Sequence, residues 1–195
     1  MCGIVAYVGP KRVGEILIEG LKRLEYRGYD SAGVAVVPTA EEGGASPKVR
    51  VCRSVGRVSV LEDKVGRQGQ TFDAHLGIAH TRWATHGGVT ENNAHPHVGE
   101  TGSGHTVALV HNGIIENYAT LRRYLEQLGL SFYGDTDTEV LAKLVAEVYD
   151  GDLETAVQTA LQEVTGAYAS CAVTDAEPST LVVARKGSPL IIGIA

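Results

Sequence analysis

The chain reads as an α+β protein in which two β-sheets are stacked between two helical layers. Apolar runs that suit strands gather toward both ends of the 195 residues, while helical patterns come in pairs in the middle, so strict β-α-β alternation is absent. Many of the strand-like runs are continuously apolar, as expected for strands buried on both faces. The length suffices for one domain with a sizeable core.

Residues 2–8 begin with a cysteine and continue as an apolar run with β-branched Ile4, Val5 and Val8, which reads as a strand buried on both faces. Gly9-Pro10 breaks it. Val13, Ile16, Leu17, Gly20, Leu21 and Leu24 then fall on one stripe of an amphipathic helix. A second apolar strand follows at residues 34–37, and residues 38–47 suit a solvated hairpin tip. Residues 48–55 alternate like an antiparallel strand, 59–65 suit a short polar helix, and 74–83 form another buried strand. Residues 83–106 are rich in Gly, His, Asn and Thr and show little periodicity. A structureless segment of that length inside a compact domain usually carries function.

Residues 107–110 read as a strand that ends in His111-Asn112-Gly113. Leu121, Tyr124, Leu125 and Leu128 mark a helix closed by Gly129. Thr136 and Glu139 have the spacing of a capping box at the start of the next helix, and Asp152 opens a third. Strands are expected at 167–173, 180–184 and 190–194. The chain stops inside that last apolar run, which points to a segment of a longer protein.

Composition narrows the function. Hydrophobic residues make up 44% and charged residues 21%, the balance of an ordinary globular protein. A net charge of −6 argues against nucleic acid as a partner, because phosphate binding needs a basic face. Cys2, Cys52 and Cys171 lack any C-x-x-C spacing, so neither a disulfide framework nor a thiolate zinc site is indicated. The opening run is too short for a signal peptide, and nothing reaches membrane-spanning length. A cytoplasmic protein is expected.

The chemistry-bearing residues fall in five places. Removal of Met1 would leave Cys2 with a thiol and a free α-amine, a group whose ordinary pKa is about 7.7–8.0. The thiol can attack a carbonyl and the amine can take its proton. The competing reading is a small buried cysteine at a strand start. Arg82, at a strand end, could clamp a carboxylate with its planar fork, or be a surface arginine. Asn112 and Gly113 offer an amide donor and an open backbone N–H, as an oxyanion hole requires, although Asn-Gly is also a strong turn signal. Asp137, in a first helical turn, could bind a substrate ammonium or simply favour the helix dipole. Arg27 either organises the residues that touch substrate or serves its turn. Together these describe a site for an amino acid with a carboxamide.

MCGIV at residues 1–5, LEYRGYDSAG at 24–33, HTRWATHG at 80–87, AHPH at 94–97, HNGIIEN at 111–117 and TDTEV at 136–140 resemble the glutaminase domain of the glutamine–fructose-6-phosphate aminotransferases. The similarity runs from Met1 to Ile194 with the motifs in order. It implies a class II glutamine amidotransferase with the four-layer αββα sandwich of N-terminal nucleophile hydrolases, with its last elements expected beyond residue 195. By resemblance, Cys2 is the nucleophile and Asn112 and Gly113 form the oxyanion hole. Arg82, Thr85 and His86 lie on the loop that closes over L-glutamine, Asp137 holds its amino group, and Trp83 gates an ammonia channel. The resemblance calls for no cofactor and no metal. It implies that a C-terminal isomerase domain, absent from this chain, uses the ammonia on fructose 6-phosphate, in an enzyme that is a homodimer at full length.

Three other readings compete. His80, His86, His95 and His97 could serve a metal hydrolase, since imidazoles suit zinc. A module that binds glutamine without turnover would result if Met1 stayed on. The purine-pathway and asparagine-synthesising amidotransferases share Cys2-Gly3-Ile4 but differ over residues 24–33 and 80–87.

Overall fold

A computed structural model describes residues 2–38, 48–68, 74–84 and 87–194 of the chain. Strand β1 (Gly3–Val8) is followed by helix α1 (Val13–Leu24), a 3-10 turn (Glu25–Arg27), β2 (Ser31–Pro38), β3 (Arg50–Val55), α2 (Val58–Gln68) and β4 (Ala74–Arg82). A 3-10 turn (Glu91–Asn93), β5 (His97–Glu100) and β6 (Thr106–Ile115) follow. Then come α3 (Tyr118–Gln127), α4 (Asp137–Glu147), α5 (Leu153–Gln162), β7 (Gly166–Thr174) and β8 (Val182–Lys186).

The strands form two four-stranded sheets of order β1-β4-β2-β3 and β5-β6-β7-β8, antiparallel throughout. Period-2 alternation explains how they stack. On β2, Val34 and Val36 face α1 and α2, where they meet Val13, Leu17, Leu21 and Leu61. Ala35 and Val37 face the other sheet, where they join Leu76 and Ile78 of β4, Ala108 and Val110 of β6, and Cys171 and Val173 of β7. On β6 the opposite residues, Val107 and Leu109, pack on Val140, Leu141 and Leu144 of α4 and Leu153 of α5. The result is helices, sheet, sheet, helices: the four-layer α+β arrangement expected. β2 is buried along all eight residues, because both its faces are covered.

Capping holds the helices in place. Thr136 Oγ1 accepts the N–H of Glu139 at 3.2 Å and Asp152 Oδ1 accepts that of Thr155 at 2.6 Å. The expected capping box is only half made. The Glu139 carboxylate turns instead to the N–H groups of Tyr133 and Gly134, at 2.9 and 2.7 Å, and so anchors the loop that enters α4.

Four other expectations change. β1 is an edge strand with most residues half-buried, since it has a neighbour on one side only. The stretch 83–106 contains β5 and a 3-10 turn, and β5 is too short and too polar to show a period. Asn112-Gly113 is not a strand end or a turn. β6 continues through it to Ile115, because pairing with β7 from Val107↔Thr174 to Ile115↔Gly166 outweighs the local turn preference. Residues 190–194 form no strand, and Ile191 is 94% exposed. The hairpin tip expected over 38–47 lies, after Pro38, outside the described residues. Among the described residues no helix is long and apolar enough to cross a membrane.

Ile78 lies fully buried between the sheets, so Ile78→Ala should cost about 2–5 kcal/mol of unfolding free energy in urea titration. Ile191→Ala should change it by no more than about 0.5 kcal/mol.

Candidate functional site

The inter-sheet layer changes character at one end. Along β4 the inward series runs Leu76, Ile78, His80, Arg82, and along β6 it runs Ala108, Val110, Asn112. Apolar residues fill the middle and polar ones take over beside the start of β1. There a cavity of about 1260 Å³ is lined by Cys2, Arg27, His80, Arg82, Trp83, His111, Asn112, Gly113 and Asp137, among others. A cleft that is apolar in the main and carries a few convergent polar groups is the usual form of a small-molecule site.

Cys2 reaches this end because β1 pairs with β4 from Gly3↔Thr81 to Val8↔Leu76. The Gly3 N–H also donates to Thr81 Oγ1 at 3.1 Å. Cys2 is half-buried and its Sγ accepts the backbone N–H of Trp83 at 3.1 Å. From the facing sheet, Asn112 Nδ2 donates to the Cys2 carbonyl oxygen at 3.4 Å. Next to it Gly113 has φ 138, and a Cβ there would lie 2.1 Å from the Ala167 carbonyl oxygen. Only glycine fits.

Asp137 is the first residue of α4 and is buried, where the helix dipole favours a carboxylate. Its Oδ2 accepts the Ile115 N–H at 2.9 Å, which ties the helix to the end of β6. Arg82 is only 4% exposed. Its guanidinium donates to the carbonyls of Gly88 and Gly87 at 3.1 and 3.3 Å, and lies 3.6 Å from Asp30 Oδ1. Asp30 in turn accepts the Ala84 N–H. The loop after β4 is therefore fastened on both sides of Thr85 and His86, which themselves lie outside the described residues. Trp83 is 53% exposed and its ring lies on Gly28, where φ is 98 and a Cβ would come within 2.2 Å of the indole. That contact ties the turn carrying Arg27 to the rim of the cavity.

Of the residues singled out from sequence, Cys2, Arg27, Arg82, Trp83, Asn112, Gly113 and Asp137 all line this one cavity. Sequence reasoning grouped His80, His95 and His97 with His86 only as possible metal ligands and missed that His80, His95, His97 and His111 form a buried cluster behind the cavity. His80 and His95 stack with ring centroids 4.1 Å apart, and His95 meets His97 edge-on at 4.9 Å. His80 Nε2 is 2.8 Å from Asn112 Oδ1, His97 Nε2 2.9 Å from Thr136 Oγ1, and His111 Nδ1 3.1 Å from Thr138 Oγ1. The alternation that puts Leu76 and Ile78 inside also puts His80 inside, and this was the available signal. Among the described residues no three His, Cys, Asp or Glu side chains are grouped to hold a metal ion.

Burial pushes the four histidines to lower pKa: His80 to about 3, with His95, His97 and His111 also below 6.5. Cys171, at the cavity wall, is pushed up to about 12 by burial, so it stays an unreactive thiol near neutral pH.

The chain belongs to the glutamine amidotransferase domain family, which matches residues 80–193. Its similarity to whole enzymes points to a particular branch. It is 48% identical over 194 residues to a glutamine--fructose-6-phosphate aminotransferase [isomerizing] of Clostridium tetani, a match covering 100% of this chain and 30% of that one. It is 50% identical over 196 residues to the protein of the same name in Pseudomonas aeruginosa, with the same coverage. The chain thus spans about 30% of the length of these curated relatives. Among solved structures it resembles a glutamine phosphoribosylpyrophosphate amidotransferase from B. subtilis, complexed with ADP and GMP. That match has a TM-score of 0.72 and 25% identity, over 90% of this chain and 35% of that one. A structure described as the allosteric regulatory enzyme of purine biosynthesis gives a TM-score of 0.74 at 26% identity, over 90% and 36%.

Two outcomes follow from this geometry. Gly28→Ala should displace the indole of Trp83, the single tryptophan, and be read as a shift in its fluorescence with a stability loss of about 1 kcal/mol or more. The buried histidines take up protons more readily when unfolded, so the unfolded chain binds more protons below about pH 6.5. Stability should therefore hold above that pH and fall as pH drops toward 5, measured as a declining urea midpoint. A flat profile would mean that the histidines are already solvated.

Proposed function

We propose that this chain hydrolyses L-glutamine to L-glutamate and ammonia through a thioester on Cys2. The observation that carries the proposal is the meeting of Cys2 with the Asn112 amide at the polar end of this cavity, in a chain of this family. Once Met1 is removed, the α-amine of Cys2 takes the thiol proton as sulfur attacks the carboxamide carbon. Asn112 Nδ2 and the Gly113 N–H receive the tetrahedral oxyanion. The protonated amine then gives its proton to the leaving nitrogen, and ammonia departs as the C–N bond breaks. Water attacks the thioester, the amine takes a proton from it, and glutamate leaves as the thiol is restored.

Arg82 reads the substrate carboxylate, Asp137 the substrate ammonium, and Thr85 and His86 complete the closing loop. Arg27 steadies the site from its turn and Trp83 gates the exit of ammonia. On this reading residues 1–195 are the glutaminase domain of a larger, dimeric, cytoplasmic aminotransferase. A further domain outside this chain uses the ammonia to convert fructose 6-phosphate to glucosamine 6-phosphate. The free thiols of Cys2, Cys52 and Cys171 suit a reducing compartment, and the acidic balance of the chain suits small-molecule rather than nucleic-acid partners.

Glutamate release should be measured side by side for the chain with and without Met1, each confirmed by mass. Release should require its removal, because an amide nitrogen at Cys2 cannot accept a proton near neutral pH. Equal rates from the two forms would sink the mechanism, and tight glutamine binding without turnover in both would favour a binding module. In the processed form, Asn112→Ala should lower kcat by about 10²–10³ with little change in KM.

A further inference from the structure

His80 is 1% exposed and lies in the strand that pairs with β1, with its Nε2 2.8 Å from Asn112 Oδ1. We infer that His80 is a positioning residue, donating its Nε2–H to Asn112 Oδ1 and thereby holding the amide of Asn112 with its N–H edge toward Cys2. The inference rests on the proposed role of Asn112 as an oxyanion donor.

A carboxamide has two chemically opposite edges, and rotation by half a turn exchanges them. Only the NH2 edge can serve a developing oxyanion; the carbonyl edge would repel it. One edge of Asn112 lies 3.4 Å from the Cys2 carbonyl oxygen, which is an acceptor only. That edge must therefore be the NH2, and the edge facing His80 must be the carbonyl oxygen. An imidazole nitrogen facing a carbonyl oxygen at 2.8 Å must carry a proton. The Cys2 carbonyl oxygen, which can only accept, thus sets the orientation of the amide.

The surroundings hold the ring in that state. Burial keeps His80 neutral, with its pKa pushed down to about 3, so a single proton serves the ring and lies on Nε2. Its Nδ1 is buried without a hydrogen-bond partner, which a bare lone pair tolerates better than an orphaned N–H. The residue is 1% exposed and its ring is stacked on His95 at 4.1 Å, which holds its orientation.

The test compares kcat and KM for glutamate release in the Met1-processed chain and its variants. His80→Leu removes the donor and should lower kcat about tenfold or more, short of the 10²–10³ for deleting an oxyanion donor itself, with KM within about twofold. His80→Gln, whose Nε2 can stand where the imidazole Nε2 stood, should recover most of the loss. In an Asn112→Ala background, His80→Leu should have no further effect. Wild-type kcat in His80→Leu, or an equal loss in both backgrounds, would overturn the inference and leave the mechanism standing. Normal turnover in Asn112→Ala, or no turnover in the parent chain, would overturn both. Should His80→Leu fail to fold, ¹⁵N NMR of the parent chain decides: a neutral ring protonated at Nε2 from pH 6 to 8 is expected, and protonation at Nδ1 refutes it.

Discussion

The antiparallel pairing of β1 with β4 is the constraint on which the site depends. Six consecutive pairs, from Gly3↔Thr81 to Val8↔Leu76, bring the start of the chain alongside residues some eighty positions later. The cysteine sulfur then meets the N–H of Trp83, and the loop after β4 begins where that thiol lies. A slip by one residue would turn every side chain of β1 to the opposite face. Ile4 and Ala6 would leave the inter-sheet layer for the helical one, and Cys2 would leave the cavity. Because β1 is an edge strand and Cys2 immediately precedes it, Cys2 is only half-buried and can be approached.

The same inter-sheet layer supplies both stability and chemistry. Its middle is Ala, Val, Leu and Ile, and its end beside Cys2 is His80, Arg82 and Asn112. Placing polar groups there costs free energy unless each finds a partner. The partners are largely found within the site: Asn112 with His80 and Cys2, Asp137 with the Ile115 N–H, Arg82 with the carbonyls of its own loop. These contacts also hold the side chains in the positions that the proposed reaction needs. The histidines remain neutral through burial, which makes them directional hydrogen-bonding groups rather than charges.

The comparisons separate fold from branch. The two solved structures share the chain's shape at 25% and 26% identity, while the glutamine--fructose-6-phosphate aminotransferases share 47–51% of its residues. A four-layer scaffold tolerates change in side chains where volume and alternation are kept. From the two segments where sequence distinguished the branches, Leu24, Arg27, His80, Arg82 and Trp83 line the cavity. There Gly28 meets the Trp83 ring and Asp30 pairs with Arg82.

By itself the sequence determined the fold class, the helices α1, α4 and α5 with their Thr136 and Asp152 caps, and most residues that meet at the cavity. These follow from local periodicity, from side chains that bond their own backbone, and from motifs whose chemistry is carried by residue type. Only the tertiary structure decided that Asn112-Gly113 runs through a strand, that Glu139 bonds Tyr133 and Gly134, and that His97 opens a short strand. It alone left residues 190–194 unpaired and set His80 against Asn112. The strand outcomes and the His80 contact depend on partners distant in sequence, such as β7 beside β6 or β4 across from β6, while Glu139 is drawn from its own cap by the loop just before it. Whether an Asn-Gly turns or an apolar run becomes a strand is settled by the hydrogen bonds a neighbouring strand offers, and a single chain segment carries no record of its neighbour.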